Sequence, residues 1–520
     1  MRILKSAVWL HLALSGLFFL LSPASAIAVE PDQSDLPVLE EAEPPDSPPS
    51  ETEEKPQVSD ETEPTDNEVD NRPFLLDSET EINELPDVLF ADPNPLSLPT
   101  NPAEVEIDKS PVITWEQAVE LAYRNSQSLQ AALLTLEQAE AALDEANAAR
   151  LPTVSAGANI TSQENNGSTI PGLGRVGEST IDTTLSGSVD VAYDVLTGGS
   201  RAASIEAAQL QQQVSALSVE TQQEQIRLDT TNLYYALQEA GEQIRINQSF
   251  LNEAERNLRD SQLRQEVGVG TRFDVLRAEV QFANARQSLI QSQSQQRIAR
   301  RDIARLLNLP PTASLEATPV SVADTWPLTL EESILLAFQN RAELEQQLLQ
   351  VDISEQQRRI ALAAVRPRVS LFANYSLQGQ LDNNDGFEDN YSFGARFNMT
   401  LSDGGAARAS ARQQELSGEI SEQQFGETLD QVRFDVEQAY FNLESNQENI
   451  STSQVAVAQA EEALNLANLR LQAGVGTQLE VLTAQSELTQ AQVNNVAAIL
   501  GYNRALAAIE RAISNISASL

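Results

Sequence analysis

The chain has 520 residues, 76 of them acidic against 33 basic, with a formal net charge of −43 and no cysteine. That surplus argues against nucleic acid as a partner, because phosphate binding needs a basic face. The lone histidine is His11 and no lysine follows Lys109. The rest of the chain therefore has no Ser-His or Cys-His nucleophile system, none of the usual His/Cys zinc ligands and no Schiff-base or phosphate-loop lysine. Carboxylate-pair catalysis stays formally open, but no pair stands out. The chain reads as a non-enzyme that needs no cofactor or metal.

Arg2 and Lys5, an apolar run from Ala7 to Leu21, and Ala24-Ser25-Ala26 predict a secretory signal over residues 1–26. The run is too short, and too close to its cleavage site, to be preferred as a membrane span. Residues 27–110 then hold 25 acidic side chains, only three basic ones (Lys55, Arg72, Lys109), and 14 of the 23 prolines. Like charge, proline and low hydrophobicity bury too little surface to offset chain entropy, so this stretch reads as an extended, mostly disordered linker. A solvated spacer is preferred here to a segment that binds a basic cell-wall layer.

Beyond it the sequence repeats itself. ITWEQAVELAYRNSQSL from Ile113 is answered by LTLEESILLAFQNRAEL from Leu328, so that Thr114 matches Thr329, Asn125 matches Asn340 and Pro152 matches Pro367 at an offset of 215. Later landmarks match at an offset of 206: Gly198-Gly199 with Gly404-Gly405, Tyr234 with Tyr440, and VGVGTRFDVLRA from Val267 with AGVGTQLEVLTA from Ala473. Two repeats, 111–310 and 326–520, joined by a linker at 311–325, follow from this period. Each opens with a capping box, Thr114 with Gln117 and Thr329 with Glu332. Helical pattern then runs to about Arg150 and Val365, where Pro152 and Pro367 end it.

After each proline the period drops to two. Val154, Ala156, Ala158 and Ile160 alternate with polar residues, as do Leu185 to Val195, then Val369 to Leu377, and Tyr391 to Leu401. Such strands suit a membrane barrel, although a soluble sheet packed on one side alternates identically. The turns between paired strands, Asn165–Glu178 and Asp382–Asp389, are polar and unequal, which accounts for the nine residues lost between the offsets. Each second strand is expected to end at its double glycine, and a long helix without proline follows, Ser200 to Val267 or Ala406 to Ala473. A coiled-coil-like seam of small residues marks both: Leu237, Ala240, Ile244, Asn247, Leu251, Ala254, Leu258 and Leu443, Asn446, Ile450, Ser453, Val457, Ala460, Leu464. Gly268-Val269-Gly270-Thr271 and Gly474-Val475-Gly476-Thr477 turn the chain, the glycines supplying left-handed angles. Capping-box spacing with Asp274 and Glu480 then opens a shorter returning helix towards Leu309 or Ile516.

The fold class is thus a mixed α and β membrane protein with four amphipathic strands and long coiled-coil helices per protomer. Four strands cannot close in lipid, eight would be filled by their own side chains, and three protomers give a 12-stranded barrel. The tandem repeat, the strand pair inside each copy, the double glycine before the long helix and the G-x-G-T-x-x-[DE]-V-L tip (Gly268 to Leu276, Gly474 to Leu482) together resemble the TolC family of outer-membrane efflux proteins. This resemblance implies a homotrimeric channel in the outer membrane of a Gram-negative-type envelope, with a large periplasmic helical barrel. It implies an exit duct for efflux or type I secretion, whose tips meet a periplasmic adaptor (membrane fusion protein) and an inner-membrane transporter. It also implies an acidic entrance gate that favours cations, matched here by Glu480 with Asp274 as its counterpart, while a second acidic position is replaced by Thr483 and Arg277. Glu480 and Asp274 equally suit simple helix capping, and Arg272 is either an interhelical ion-pair partner or a solvated arginine. The alternative function is a coiled-coil tether between outer membrane and cell wall.

Overall fold

The computed structural model describes residues 100–102, 105–106, 111–165, 168–170, 174–176, 180–381 and 386–514. The expected signal, nearly all of the acidic linker and much of the two expected strand turns lie outside the described residues. The chain divides into Met1–Asp77 and Ser78–Leu520, and every described residue belongs to the second unit.

In chain order the elements of the first repeat are β1 (Val112–Ile113), α1 (Trp115–Asn125), α2 (Gln127–Ala148), β2 (Thr153–Asn165), β3 (Ser168–Ile170), β4 (Gly174–Val176), β5 (Thr180–Leu196), α3 (Ser200–Glu266) and α4 (Arg272–Leu306). After β6 (Glu316–Ala317) the second repeat gives α5 (Leu330–Asn340), α6 (Ala342–Ala363), β7 (Arg368–Gln380), β8 (Phe387–Asn398), α7 (Ala406–Gln472) and α8 (Gln478–Ile513). The helices α3 and α7 are 67 residues each, which at about 1.5 Å per residue is on the order of 100 Å. Thr114 and Thr329 make the reciprocal capping boxes with Gln117 and Glu332.

Two expectations need correction. The pattern from Thr114 to Arg150 reads as one helix, but the chain breaks at Ser126, whose backbone is extended and whose hydroxyl accepts from the Leu129 N–H. Arg341 breaks the second repeat at the matching place with no side-chain cap. Hydrophobic period alone does not register a one-residue break, because the apolar face resumes on the far side. The second correction is at β8, which stops at Asn398, well short of the Gly404-Gly405 pair, whereas β5 runs on to Leu196.

Four strands form one antiparallel sheet in the order β2-β5-β7-β8, so that β2 and β8 are its edges. The two repeats meet at the β5–β7 seam, with Asp190 opposite Asn374 and Val191 opposite Ala373. Along β7 the polar side chains Ser370, Asn374 and Ser376 are partly covered, while Leu371, Tyr375 and Leu377 are exposed. Val154, Ile160, Phe393 and Phe397 are exposed as well, Phe393 at 80%. A soluble one-sided sheet covers its apolar face; this sheet leaves it bare. Among the described residues no helix is long and apolar enough to cross a membrane.

The helices form a layer four wide. Towards the sheet the neighbours run α2, α3, α6, α7; towards the hairpin tips they run α4, α3, α8, α7. The predicted seams face inward: Leu237, Ala240, Asn247 and Ala254 are buried in α3, Leu443 and Ser453 in α7, and the remaining seam positions are half-buried. Small residues at these positions let helix axes approach closely, which explains burial without bulky knobs.

Between the two halves of the layer lies the largest apolar core. Ile113, Leu121, Ile303, Leu307 and Leu315 are each at most 1% exposed. Tyr234 ties this core together: its hydroxyl donates to the Ile113 carbonyl at 3.0 Å and accepts from the Thr318 N–H at 3.2 Å. The 311–325 stretch is strapped down too. Tyr502 donates to the Asp324 carbonyl at 2.9 Å, and Asn503 bonds both Ser321 and Ala323.

Candidate functional site at the hairpin tips

Each tip begins as a helix whose last carbonyls are collected by the turn. The N–H groups of Val269 and Gly270 both donate to the Arg264 carbonyl at 2.9 Å, and those of Val475 and Gly476 both donate to Arg470 at 3.0 and 2.9 Å. The two glycines of each tip are there for different reasons. Gly268 and Gly474 have φ of 79° and 76°, the left-handed region that an L side chain avoids. Gly270 and Gly476 have no positive φ, but a Cβ on Gly476 would stand 2.9 Å from the Arg470 Cβ. The expectation that both glycines supply left-handed angles thus holds for the first of each pair; the second provides room for close approach.

Thr271 and Thr477 then cap the returning helices, accepting from the Asp274 and Glu480 N–H groups at 3.2 Å. The acidic side chains part company at this point. Asp274 completes its box, its Oδ2 accepting from the Thr271 N–H at 3.1 Å and from the Thr271 hydroxyl at 2.6 Å. Glu480 does not: its Oε2 accepts from Arg470 Nε at 3.2 Å, across the hairpin. One methylene more of reach lets Glu480 leave the cap and meet the cation in the last turn of α7. Arg272 is exposed and makes no ion pair or hydrogen bond among the described residues. Arg277 lies 4.8 Å over the Phe273 ring.

The tips also touch each other. Arg264, the counterpart of Arg470, reaches the other hairpin and donates to the Leu471 carbonyl at 3.5 Å. Deeper in the layer Asn257 donates to Gln485 at 2.9 Å. Arg470, with Glu480, Thr483 and Glu487, lines a shallow groove floored by Leu466, Ala467 and Ala484. Neither arginine figured among the sequence candidates. The available signal was a basic residue in the last helical turn, four positions before Gly268 and Gly474, where the helix dipole favours a cation. Val269 and Val475 are 76% and 69% exposed at the apex.

A second charged cluster, which the sequence reading missed, lies where α3, α6 and α8 pack. Arg227 pairs with Glu510 at 3.2 Å, Arg511 with Glu343 at 2.6 Å, and Arg341 with Glu343 at 3.0 Å and Asp435 at 3.6 Å. Burial pushes Glu343 upward, yet the Arg511 hydrogen bond and the Arg511 and Arg341 charges together hold it below its ordinary value. Glu224 is 3% exposed, and one of its carboxylate oxygens has no partner. Burial pushes its pKa up to about 7 against the pull of Arg511 and Arg227. Glu510 is raised by burial as well.

The family model described as outer membrane efflux protein matches residues 118–309 and again 334–515. The pyoverdine export outer membrane protein OpmQ of Pseudomonas aeruginosa is 26% identical over 387 residues, 72% of this chain and 80% of that protein. Among solved structures, the outer membrane protein VceC of Vibrio cholerae aligns with a TM-score of 0.67 at 21% identity, over 77% of this chain and 96% of that one. The outer membrane channel CmeC of Campylobacter jejuni aligns with a TM-score of 0.68 at 15% identity, over 77% and 85% of the respective chains. At such identities the structural likeness speaks for the fold.

Proposed function

The chain belongs to the outer membrane efflux protein family, and on that premise we propose that it is the outer-membrane exit duct of an envelope-spanning efflux or type I secretion system. Three copies close their sheets into a 12-stranded barrel and their helix layers into a periplasmic helical barrel in line with it. The observation that carries this reading is a sheet with a bare apolar face and two open edges, joined to helices of about 100 Å. Open edges in lipid leave backbone groups unpaired at several kcal/mol each, so one copy alone does not suit a bilayer. Twelve strands, unlike eight, leave room for a lumen.

Within each copy, repeats 111–310 and 326–520 supply two strands and one hairpin tip each. Residues 1–26 direct export, and 27–110 form an acidic spacer. The tips Gly268–Thr271 and Gly474–Thr477 dock a periplasmic adaptor, which brings an inner-membrane transporter into line. Glu480, paired with Arg470, sets the charge of the entrance; Asp274 caps its helix, and Arg272 stays solvated beside it. Channel proteins among the relatives support a role in passage rather than in catalysis.

The test is conductance of the purified oligomer in planar bilayers. Discrete, cation-favouring single-channel steps are expected. Trimers of verified mass that reconstitute without conducting would overturn the duct.

A further inference from the structure

The last turns of α4 are basic in an acidic chain. Arg297, Arg300, Arg301 and Arg305 stand there against the single carboxylate of Asp302, and Arg124 in the last turn of α1 belongs to the same place. Gln127 donates to Asn308 at 3.5 Å, and these two residues directly follow the turns that carry Arg124 and Arg305. At the matching positions of α8, at the offset of 206, the second repeat has Asn503, Leu506, Ala507 and Arg511. The layer therefore packs without an arginine at the places of Arg297, Arg300 and Arg301.

Two of these arginines already have partners. Arg300 is held by Glu316 at 2.7 Å, and Arg301 donates to the Pro311 carbonyl at 3.1 Å and to that of Ala313. Burial, with the Arg300 charge added to it, holds Arg301 below its ordinary value. Arg297 and Arg305 are exposed and make no ion pair or hydrogen bond among the described residues. The chain that precedes the layer joins it beside them. The Glu316 N–H donates to the Pro111 carbonyl at 2.9 Å, and Val112 pairs with Glu316, so the residue that holds Arg300 also holds the point at which residues 78–110 end. That stretch carries eight acidic side chains and one basic one, Lys109. Asp108, Glu106 and Glu104 lie nearest to Pro111, within about 25 Å of chain even when fully extended. Arg297 to Arg305 is about 12 Å of helix, so the arginines are in reach.

The second repeat shows where such a stretch lies. Asn503 donates to the Ser321 carbonyl at 2.8 Å and accepts from the Ala323 N–H at 3.0 Å, strapping down the chain that enters α5. Asn503 answers Arg297 at the offset of 206, while Ser321 and Ala323 answer Glu106 and Asp108 at 215. An amide and two uncharged strap residues in one repeat are thus a guanidinium and two carboxylates in the other, a charge-assisted match. We propose that residues 78–110 dock along the end of α4 in the same chain, with Glu106 and Asp108 on Arg297 and the other carboxylates towards Arg305 and Arg124. Glu106 is itself exposed and unpaired among the described residues, so both members of the match are available. The dock fixes the root of the acidic spacer beside Ile303 and Leu307 of the largest core, away from both the sheet and the tips. It does not rest on the duct, and conductance is not its readout.

A protease that cuts only after lysine reads the dock, because no lysine follows Lys109. In the full-length protein in membranes, the lysine introduced by Val58→Lys serves as a reference site outside the docked stretch. At low salt Lys109 should be cut more slowly than the reference. Salt at about 0.5 M screens exposed pairs and should raise the rate at Lys109, relative to the reference, about fivefold. Arg297→Glu/Arg305→Glu should do the same at low salt, and adding Glu106→Arg/Asp108→Arg should restore the protection. The milder pair Arg297→Gln/Arg305→Gln should raise the relative rate about threefold and covers the case in which the reversal misfolds. Equal cutting of the two lysines at low salt would overturn the dock, as would a Lys109 rate that neither arginine pair changes. Reversal that leaves Lys109 protected but lowers the trimer fraction by native mass spectrometry would give the arginines to a neighbouring copy, and overturns it too.

Discussion

Glu480 and Asp274 occupy matching positions and look interchangeable, yet one extra methylene gives them different partners. Asp274 is held by Thr271 within its own turn, so its charge serves the helix terminus. Glu480 is held by Arg470 from the facing helix. That pair is exposed on both sides, 56% and 42%, and such pairs contribute only about 0–1 kcal/mol. Glu480→Gln should therefore leave the melting temperature of the oligomer unchanged. On the proposed duct, its effect would be on the charge of the entrance, where Arg470 is left uncompensated. Cation preference, read from the reversal potential in asymmetric salt, should fall, and Arg470→Gln should raise it. A reversal potential that neither substitution moves removes both residues from the entrance.

Among the helices, length and seam follow from local sequence, whereas their mutual arrangement puts charges where no local pattern predicts them. Glu224 of α3 ends up beside Arg511 of α8, with Arg341 at the α5–α6 break, Glu343 of α6, Asp435 of α7, and Arg227 and Glu220 of its own helix around the same junction. Its folded pKa, about 7, lies above the ordinary 4.5. Between those values the folded state keeps a proton that the unfolded chain has released. Stability from this group is therefore full below pH 4.5, falls as pH rises through the window, and is lost above about 7. Glu510, raised in the same direction, adds to the slope. Glu224→Gln should lift the thermal unfolding temperature at pH 8 and flatten its decline from pH 5 to 8, while Glu510 keeps part of the slope. An unchanged slope in the variant would mean that Glu224 does not hold the proton.

For the assembled molecule the decisive question is which face of the sheet meets lipid. On β8, Phe393 and Ser392 are neighbours that point to opposite faces, and both are exposed in a single copy. Arginine on the lipid face of a membrane barrel costs about 2–4 kcal/mol near the midplane, whereas a lumen position tolerates it. Phe393→Arg should thus reduce the yield of heat-modifiable oligomer in the membrane fraction, and Ser392→Arg should not. The reverse result would mean that the sheet faces lipid with its polar side. The same alternation explains why a strand pattern cannot by itself distinguish a barrel from a soluble sheet: both take every second, apolar side chain out of water, and only what covers that half, lipid or protein, differs.

The repeat, the kinds of element, the turn chemistry and the seam residues can be read from the residues alone, because each depends on neighbours within a few turns of the chain. Thr114, Thr329, Gly268 and Gly474 act on backbone groups three to five residues away, so their roles were legible in advance. Packing beyond the local turn sets the second glycine's role as a gap for Arg470 at the tip, the partner of Glu480 and the buried charge around Glu224. Each of these depends on which side chain a fold brings alongside, and an opposing helix arrives from hundreds of residues away or around a turn whose reach is set in ångströms. The same physics left the sheet open at β2 and β8: local alternation specifies the strands, but pairing at an edge needs another strand to be there.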